Sequence, residues 1–395
     1  MNFLHFSDLH FGSKGYTIEQ AKNNVEGILK VLETEKIGTI DTVFITGDLI
    51  YAKEKKSRTK RNLDKLGEYI EKIISILGVE RNNLFIVPGN HDVKRTNIRK
   101  KKCPEIKKNY NLENGLSKDE YDILASGFEY FTNMHKNLCE REFNIIPHLD
   151  ERDAFNILSL NTALVSFKDD EERDLIIDIG SIGKALAEAK TKKPTIAIGH
   201  HPIESMHTEE SRQLELLFSS NNVQVYLCGH EHQMIYQPKY AIGNTQFKLH
   251  QFKCGTLMSQ RPNGRETDML IYAGSIEENF VGYVLPIKWD RRYISWMPDT
   301  GYSYCQDKKL DGLIYINKTR DEVIQARIDS CVEQILPKLE KNYRGGFSNE
   351  TLKKLIIETD SDSFPLYNRI LTELITKDKI GKTAQECFVL KQQNK

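Results

Sequence analysis

The stretch FLHFSDLH at residues 3–10 decides the fold. Its first four residues form a largely apolar run, which is typical of a buried β-strand. Asp8 and His10 follow directly, and both carry side chains that bind metal ions. Four later apolar runs also end in short motifs of metal-binding residue types. These motifs are Gly47-Asp48, Gly89-Asn90-His91-Asp92, Gly199-His200-His201-Pro202 and Gly229-His230-Glu231-His232.

The spacing of apolar residues between these motifs predicts an α/β protein. Residues 17–36, 63–77 and 184–190 have helical periodicity, and they alternate with strand-like runs at 43–46, 84–87, 155–160, 195–198 and 223–227. The runs at 247–252, 269–273 and 283–287 follow one another closely, which indicates a second sheet. Because ligands bind at the carboxyl ends of parallel strands, we expect the five motifs to meet at one edge. The glycines before Asp48, Asn90, His200 and His230 would permit the tight turns required there.

The residue types in these motifs predict two metal ions. Asp8 and Asp48 offer carboxylates, Asn90 an amide oxygen, and four histidines offer imidazoles: His10, His200, His230 and His232. Seven ligands are too many for one ion with an open position, so two ions sharing a carboxylate are expected. Two ions about 3.5–4 Å apart can hold a hydroxide that attacks a phosphate ester. The mixture of nitrogen and oxygen ligands favours Mn²⁺, with Fe or Zn²⁺ as alternatives, over Mg²⁺ or Ca²⁺.

The motifs DxH, GD, GNHD, GH and GHxH occur in this order, so the sequence resembles the calcineurin-like metallophosphoesterases from Met1 to about Ala273. The resemblance implies a four-layer α/β-β/α sandwich with the metals at its edge. It implies that Asp8, His10 and His232 bind one metal, that Asn90, His200 and His230 bind the other, and that Asp48 bridges them. His91 would protonate the leaving oxygen or stabilise developing charge. Asp92 would orient His91.

The remaining histidines receive weaker predictions, because a single histidine is usually a structural polar group. His201 remains open, either as a group that supports the ligands or simply as the residue before Pro202. His5 alternates with core positions of the first strand, which favours a structural role. His207 is a weak candidate for substrate contact. No role is assigned to His135, His148 and His250.

The pattern changes to helix near residue 316, so we predict a catalytic domain over residues 1–315 and a small C-terminal helical module over residues 316–395. Helical patterns at 322–339, 349–358 and 366–376 are followed by short extended stretches at 379–382 and 387–390. This order is compatible with a winged helix that has a short β-wing. A small helical dimerisation module would give the same pattern, and a homo-oligomer therefore remains open.

Composition limits the partners. The 395 residues contain 56 Lys plus Arg and 56 Asp plus Glu, so attraction to nucleic acid requires local clusters of charge. The seven cysteines are scattered without a CxxC pair, which favours a reducing cytoplasm over a disulfide framework. No apolar run approaches the ~18 residues of a membrane span, and no basic leader is present, so we expect no membrane association.

Two basic runs, Lys53 to Arg61 and Lys94 to Lys108, leave the predicted metal edge. Such runs are either solvated surfaces or contacts to a polyanion, where nearby aromatic residues could stack on bases: Tyr110, Phe128, Tyr130 and Phe131. They favour a DNA or RNA nuclease resembling the double-strand-break-repair exonuclease branch of the family, and by analogy an ATPase or motor partner. The alternatives are a cyclic-nucleotide or other small-diester phosphodiesterase, a phosphoprotein phosphatase and a non-catalytic scaffold.

Overall fold

The computed structural model describes residues 1–11, 18–35, 37–50, 60–168, 173–190, 193–232, 235–241, 244–257, 269–277, 280–299, 314–317, 320–343, 346–359, 367–377, 379–382 and 388–390. The chain divides into two compact units, Met1–Asn317 and Lys318–Lys395. The sequence-based boundary after residue 315 falls two residues before this division.

The described strands of the first unit form two sheets. They are β1 Asn2–Phe6, β2 Thr42–Ile45, β3 Leu84–Ile86, β4 His148–Glu151, β5 Asn156–Ser159, β6 Thr195–Ile198, β7 Val223–Cys228, β8 Ile235–Ala241, β9 Asn244–Lys253, β10 Leu270–Ile276, β11 Gly282–Asp290, β12 Ser295–Pro298 and β13 Ile314–Ile316.

Both sheets have a parallel centre. The first sheet has the order β12-β11-β10-β1-β2-β3, with β13 paired to β11, and β1, β2 and β3 are parallel. The second has the order β4-β5-β6-β7-β9-β8, and its four central strands, β5, β6, β7 and β9, are parallel. The carboxyl ends of β1, β2, β3, β6 and β7 carry the five motifs. Each sheet therefore presents part of the predicted site.

The helices described in the first unit are α1 Ile18–Thr34, α2 Lys60–Leu77, α3 Asn97–Asn109, α4 Lys118–Ala125, α5 Glu129–Cys139, α6 Ile179–Ala187 and α7 Thr208–Ser220. In α1, the buried residues Ala21, Val25 and Ile28 recur at intervals of four and three residues, which gives one apolar face. That face packs with the first sheet.

Successive side chains of strand β6 in the second sheet point into different cores, which shows how the sheets and helices are layered. On β6, Ile196 and Ile198 join a core that also contains first-sheet residues such as Phe44, whereas Ala197 joins the core that includes Leu214 of α7. Successive side chains of a strand point to opposite faces, so the two sheets pack face to face with helices outside each. This is the four-layer α/β-β/α sandwich that the resemblance implied.

Residues 121–139 have one continuous helical pattern in the sequence, but the structure contains two helices there. They form the end of α4 and the whole of α5, which are separated at Gly127. A Cβ at Gly127 would lie 2.7 Å from Cδ of Arg99, so the close passage of that side chain requires glycine there. The basic run that interrupts the sequence pattern is itself helical, because it forms α3 with Thr96 as its N-cap.

The C-terminal unit contains α8 Arg320–Asn342, α9 Asn349–Thr359, α10 Tyr367–Thr376, β14 Ile380–Lys382 and β15 Phe388–Leu390. The helices share an apolar core that includes Ile335, Leu352 and Ile370. The two strands pair antiparallel. The winged-helix interpretation of this unit stays a prediction. Across the described parts of the chain, no helix is both long and apolar enough to cross a membrane.

Candidate metal centre

The structure gathers the side chains of the five motifs at the edge where the two sheets meet. The loops after β1, β2 and β3 bring Asp8, His10, Asp48 and Asn90, and the loops after β6 and β7 bring His200, His230 and His232. Two groups of three side chains from this set have ligand atoms within 4.8 Å of one another: Asp8 with His10 and His232, and Asp8 with Asp48 and His200. The predicted ligands are therefore neighbours in space.

Three of them form a first cluster. The Nε2 atoms of His10 and His232 lie 3.3 Å apart. Asp8 Oδ1 is 3.8 Å from Nε2 of His10 and 3.5 Å from Nε2 of His232. Donors that bind one ion at ~2.0–2.2 Å stand roughly 3–3.5 Å apart, so these three atoms have nearly the spacing of a shared ion.

Asp48 lies between this cluster and a second one. Its Oδ2 is 3.8 Å from Nε2 of His10, whereas its Oδ1 is 3.4 Å from Nε2 of His200. The two carboxylate oxygens thus face histidines from different sheets. This is the arrangement that a bridging carboxylate requires.

The second cluster is built around His200. Its Nδ1 contacts the Thr46 carbonyl oxygen at 2.7 Å, and its Nε2 lies 3.2 Å from Oδ1 of Asn90. The ring of His230 stands 5.2 Å from that of His200 between centroids. His201 also belongs to this group, because its ligand atom lies with those of His200 and His230. The structure therefore adds His201 to the residues that could hold the second ion.

One buried oxygen atom shows that this set of side chains is suited to a metal ion. Asp8 Oδ1 is buried and accepts no hydrogen bond from any described residue. A buried carboxylate oxygen without a partner is costly unless a cation compensates it. Together with imidazole Nε2 atoms around the same point, this oxygen makes a site suited to a divalent ion.

The backbone at this edge is strained. Five of the seven predicted ligands have positive φ angles: Asp8 at 53°, His10 at 46°, Asp48 at 52°, His230 at 74° and His232 at 54°. This region is unfavourable for residues other than glycine, and each such residue costs about 1–3 kcal/mol. Strain concentrated on the ligands indicates that their positions serve a function.

The family model for calcineurin-like phosphoesterases matches residues 1–234. The chain belongs to this family. An uncharacterized metallophosphoesterase-like protein of Bacillus subtilis, YydB, is 28% identical over 242 residues, which cover 59% of this chain and 49% of that protein. The chain thus spans about half the length of this relative.

Two solved structures are similar at low identity. A Vps29 single mutant from Entamoeba histolytica is 11% identical with a TM-score of 0.33, covering 75% of this chain and 98% of its own. GAP50, the anchor in the inner membrane complex of Plasmodium, is 12% identical with a TM-score of 0.41, covering 81% and 90%.

Members of the calcineurin-like phosphoesterase family use divalent metals, and two glycines show how tightly this chain builds their site. Gly47 has a φ of 88°, so it adopts a conformation that L side chains rarely take. Gly89 has no such angle, but a Cβ there would lie 2.1 Å from Oδ1 of Asp48. The tight-turn explanation thus holds for Gly47, whereas Gly89 is needed because the Asp48 carboxylate packs against its backbone.

Neighbouring charges and burial shift the pKa values of the groups in the candidate site. Burial would raise the pKa of Asp48, but the charges of His200, His91 and His10 hold it well below its usual value. Burial acts in the opposite direction on His200, where the charge of Asp48 and their hydrogen bond raise the pKa to about 9. Burial lowers the pKa of His230 to about 3. A cation would compete with the proton that Asp48 holds on His200.

The GNHD motif positions His91 at the same edge. Nε2 of His91 is 3.9 Å from Oδ2 of Asp48, and its ring stands 4.8 Å from that of His10. Its backbone N–H donates to Oδ1 of Asp48 at 2.8 Å. His91 thus lies beside the first cluster, where a phosphate would bind, and its catalytic role stays a prediction.

Asp92 is fully buried and has contacts that the sequence did not predict. Its carboxylate accepts hydrogen bonds from the backbone N–H groups of Leu49, Ile50 and Gly89. These bonds tie the loop after β2 to the loop after β3. Burial and the charge of Asp48 raise the pKa of Asp92 to about 7. Its orienting action on His91 stays a prediction, whereas its hold on the two loops is visible.

Sequence reasoning missed three supporting residues. The Thr162 hydroxyl accepts from the backbone N–H groups of His200 and His201 and lies 2.9 Å from Nδ1 of His201. The Thr256 hydroxyl donates to the Asp8 carbonyl oxygen. Lys253 is nearly buried and pairs with Glu231, the residue between two ligands. None of the three carried a signal in the sequence, and Lys253 lies one residue beyond the strand-like run at 247–252.

The other histidines lie elsewhere. His5 is buried in β1 with Nε2 at 2.9 Å from Oγ1 of Thr46, and burial lowers its pKa to about 3. His207 is exposed at the start of α7. His250 contacts Tyr236 and Asn317 on the second sheet. None of these three belongs to the metal-ligand groups of the described residues.

Proposed function

We propose that this chain is a two-metal phosphodiesterase that cleaves nucleic acid, with Mn²⁺ as its preferred metal. The observation that carries the proposal is the position of Asp48, whose two oxygens face His10 and His200 on opposite sides. A single-metal site would have no use for a carboxylate held in this way. All seven predicted ligand positions carry residue types that bind metals, which argues against a non-catalytic scaffold.

In this proposal, Asp8, His10 and His232 would hold one ion, Asn90, His200 and His230 would hold the other, and Asp48 would serve both. When bound, such a pair of ions would lower the pKa of a water molecule and offset the charge of the phosphate. His91 lies beside Asp48 and contributes a proton to the leaving oxygen. Asp92 and Thr162 keep the ligand loops in register through backbone hydrogen bonds.

Exposed lysines support nucleic acid as the substrate. Four basic residues of the run after Asn90 are exposed: Lys94, Lys100, Lys101 and Lys108. Others are used inside the protein, since Arg99 is buried and donates to three carbonyl oxygens, and Lys107 pairs with Asp174. The remaining surface charge could track a phosphate backbone.

The other sequence signals for nucleic acid are weaker in the structure. Residues 53–59 of the first basic run lie outside the described residues. Phe128 and Phe131 are buried, and the hydroxyls of Tyr110 and Tyr130 bind Glu210 and the Asp92 carbonyl. Phe128 and Phe131 therefore offer no exposed face for stacking on bases, and Tyr110 and Tyr130 are partly buried. An ATPase or motor partner, a homo-oligomer and a cytoplasmic location stay predictions.

The proposal is tested with purified protein and Mn²⁺ on a panel of single- and double-stranded oligonucleotides, cyclic nucleotides and phosphopeptides. Oligonucleotides should be cleaved. Asp48→Ala should lose bound metal and activity together, by more than about 100-fold, because both ions lose a ligand. His91→Ala should keep its metal, measured by elemental analysis, and lose turnover. Turnover of cyclic nucleotides or phosphopeptides without cleavage of any oligonucleotide would reject nucleic acid as substrate.

The basic helix is tested by reversing charge at Lys100 and Lys101. Lys100→Glu combined with Lys101→Glu should weaken oligonucleotide binding and reduce the slope of log affinity against log salt by about 1–2. Hydrolysis of a small nitrophenyl diester should not change. The matched control reverses two exposed lysines near α6, Lys184→Glu and Lys190→Glu. Equal losses in both double variants would show that α3 has no special role.

A further inference from the structure

Strand β9 carries no predicted metal ligand, yet its last residues lie beside a ligand loop of the second sheet. Lys253, the final residue of β9, is in register with Cys228, the final residue of β7. The loop that contains His230 and His232 begins directly after Cys228. Successive side chains of a strand alternate between its faces, so Gln251 and Lys253 lie on the same face of β9. Two polar side chains are thus placed near the start of this loop.

Lys253 contacts both ligand loops of the second sheet through carboxylates. Its Nζ donates to Oε1 and Oε2 of Glu231 at 3.2 and 3.3 Å. It also lies 3.7 Å from Oε2 of Glu204. Glu231 stands between His230 and His232 in the loop after β7, whereas Glu204 belongs to the loop after β6. One ammonium group therefore links the two loops.

Gln251 makes a second link from β9 to the loop after β6. This residue is fully buried. Its Oε1 accepts from the backbone N–H of Ile203 at 3.1 Å, and its Nε2 lies 3.2 and 3.1 Å from the two carboxylate oxygens of Glu204. Gln251 thus holds both the backbone and a side chain of this loop, and it keeps Glu204 where it meets Lys253.

The environment of Lys253 is costly for a charged group. Its side chain is 7% exposed, whereas those of Glu231 and Glu204 are each 36% exposed. Taking an ammonium group out of water costs free energy that ion pairs regain only in part, and an apolar side chain of similar length would avoid that cost. The ion pairs of Lys253 therefore explain the arrangement of the two loops better than the stability of the fold.

The backbone on either side of Glu231 requires such a restraint. His230 and His232 have φ angles of 74° and 54°, in the left-handed region that residues other than glycine occupy only when the surrounding structure compensates for the strain. The backbone N–H of His230 donates to Oδ2 of Asp8 at 3.0 Å, which ties the loop to the first sheet. The pair of Glu231 with Lys253 ties the same loop to β9.

We propose that Lys253 is a positioning residue that sets the spacing of the two second-sheet ligand loops by holding Glu231 and Glu204 from β9. It acts through these carboxylates and not by contact with the ions. Because Glu231 stands between a predicted ligand of each cluster, loss of Lys253 weakens both metal sites. This inference rests on the two-metal site of the proposed function and concerns how the ions are held, not which ester is cleaved.

Titration with Mn²⁺ in the absence of substrate tests the role of Lys253. Lys253→Met keeps the length of the side chain and removes its charge, so the affinity for each of the two ions should fall about tenfold. Glu231→Gln removes the other half of the pair and should give the same loss. In both variants the two sites should weaken together.

The matched control for these variants is Lys239→Met. Lys239 is also largely buried, at 17% exposed, and pairs with Glu204 and Glu215. Neither partner is adjacent to a predicted ligand in the chain, and Gln251 and Lys253 still hold Glu204 when Lys239 is replaced. Lys239→Met should therefore bind both ions with wild-type affinity.

A double-variant cycle shows whether Lys253 acts through Glu231. If it does, Lys253→Met combined with Glu231→Gln should lose about tenfold in affinity, as each single variant does, and not the roughly hundredfold of two independent losses. The visible absorption spectrum of the Co²⁺-loaded protein reports the geometry of the ligands. It should shift in the same way in the two single variants and the double variant, and it should not shift in Lys239→Met.

These measurements do not depend on hydrolysis. If the affinity losses and the spectral shift appear but no phosphodiester is cleaved, the proposed function fails and the role of Lys253 stands. Independent losses in the cycle, equal losses in Lys239→Met, or wild-type affinity in Glu231→Gln would each overturn that role. Glu231 is partly exposed, so Glu231→Gln decides the question even if Lys253→Met does not fold.

Discussion

The two sheets contribute differently to the metal centre. The first-sheet edge (Asp8, His10, Asp48 and Asn90) carries all of the predicted oxygen ligands, whereas the second-sheet edge (His200, His230 and His232) carries only predicted imidazole ligands. On the first edge the Asp92 carboxylate joins the loops after β2 and β3, and on the second edge the Thr162 hydroxyl holds the loop after β6. Part of each edge is thus positioned by its own buried polar group, and the two edges meet at Asp48.

The largest effect is expected at the point where the edges meet. In Gly89→Ala, a Cβ 2.1 Å from Oδ1 of Asp48 would displace the carboxylate that faces both edges. Activity should fall by more than about 100-fold, beyond the usual loss from a supporting residue, and bound metal should fall with it. Elemental analysis and diester hydrolysis measure these losses.

The matched control for that variant is Gly67→Ala. Gly67 lies in α2, and a Cβ there would meet no atom within 4 Å. Because alanine favours helix over glycine by up to ~1 kcal/mol, this variant should be as stable as the wild type or more stable, with full activity. Full activity in Gly89→Ala as well would show that the Asp48 carboxylate can move without loss of function. The prediction that the two edges depend on the close packing of Asp48 against Gly89 would then be wrong.

The next effect is expected at the first-sheet edge. Asp92→Ala would leave the backbone N–H groups of Leu49, Ile50 and Gly89 without their buried acceptor. Since each unpaired buried group costs about 1–3 kcal/mol, the free energy of unfolding should fall by about 3–5 kcal/mol. Urea unfolding measures this loss. Asp92→Asn keeps one acceptor oxygen, so its free energy of unfolding should lie between those of the wild type and Asp92→Ala.

The exposed Asp64 of α2 provides the comparison for Asp92. Asp64→Ala should change the free energy of unfolding by less than about 0.5 kcal/mol, because surface substitutions away from special contacts are nearly neutral. If Asp92→Ala unfolds at the same urea concentration as Asp64→Ala, the carboxylate does not hold the two loops. Asp92 would then have only the predicted role toward His91.

Local patterns predicted most of the fold and the ligand positions. Strand β6 was predicted over its observed range, Thr195–Ile198, because a fully buried parallel strand is an uninterrupted apolar run. Strands β4, β8, β12 and β13 were missed. Of these, β8 and β12 are edge strands with a proline and partly exposed residues, so neither shows a clear alternation.

The supporting contacts could not be predicted, because they join residues far apart in the chain. Asp92 bonds Leu49 across 43 residues, and Thr162 bonds His200 across 38. The left-handed backbone at Asp8, His10 and Asp48 is equally invisible in a sequence, since these residue types adopt it only when the surrounding structure compensates for the strain. Motifs thus select the candidate ligands, whereas tertiary contacts decide how these side chains are positioned.

The smallest effect is expected at the second-sheet edge. It tests most directly whether the two edges are positioned independently. Thr162→Val keeps the volume of the side chain but removes the hydroxyl that accepts from the N–H groups of His200 and His201. The free energy of unfolding should fall by about 1–3 kcal/mol and metal affinity by about tenfold. The matched control is Thr132→Val in α5. The hydroxyl of Thr132 donates to the carbonyl oxygen of Phe128 at the start of the same helix.

Because Thr162 supports residues of one cluster only, its loss should not affect both ions equally. His200 belongs to the second cluster, so metal titration of Thr162→Val should show one site weakened and the other near its wild-type affinity, whereas Asp48→Ala weakens both. Equal weakening of the two sites in Thr162→Val would mean that the edges are not positioned independently. The hydroxyl would then stabilise the whole junction, with Asp48 transmitting its effect from one sheet to the other.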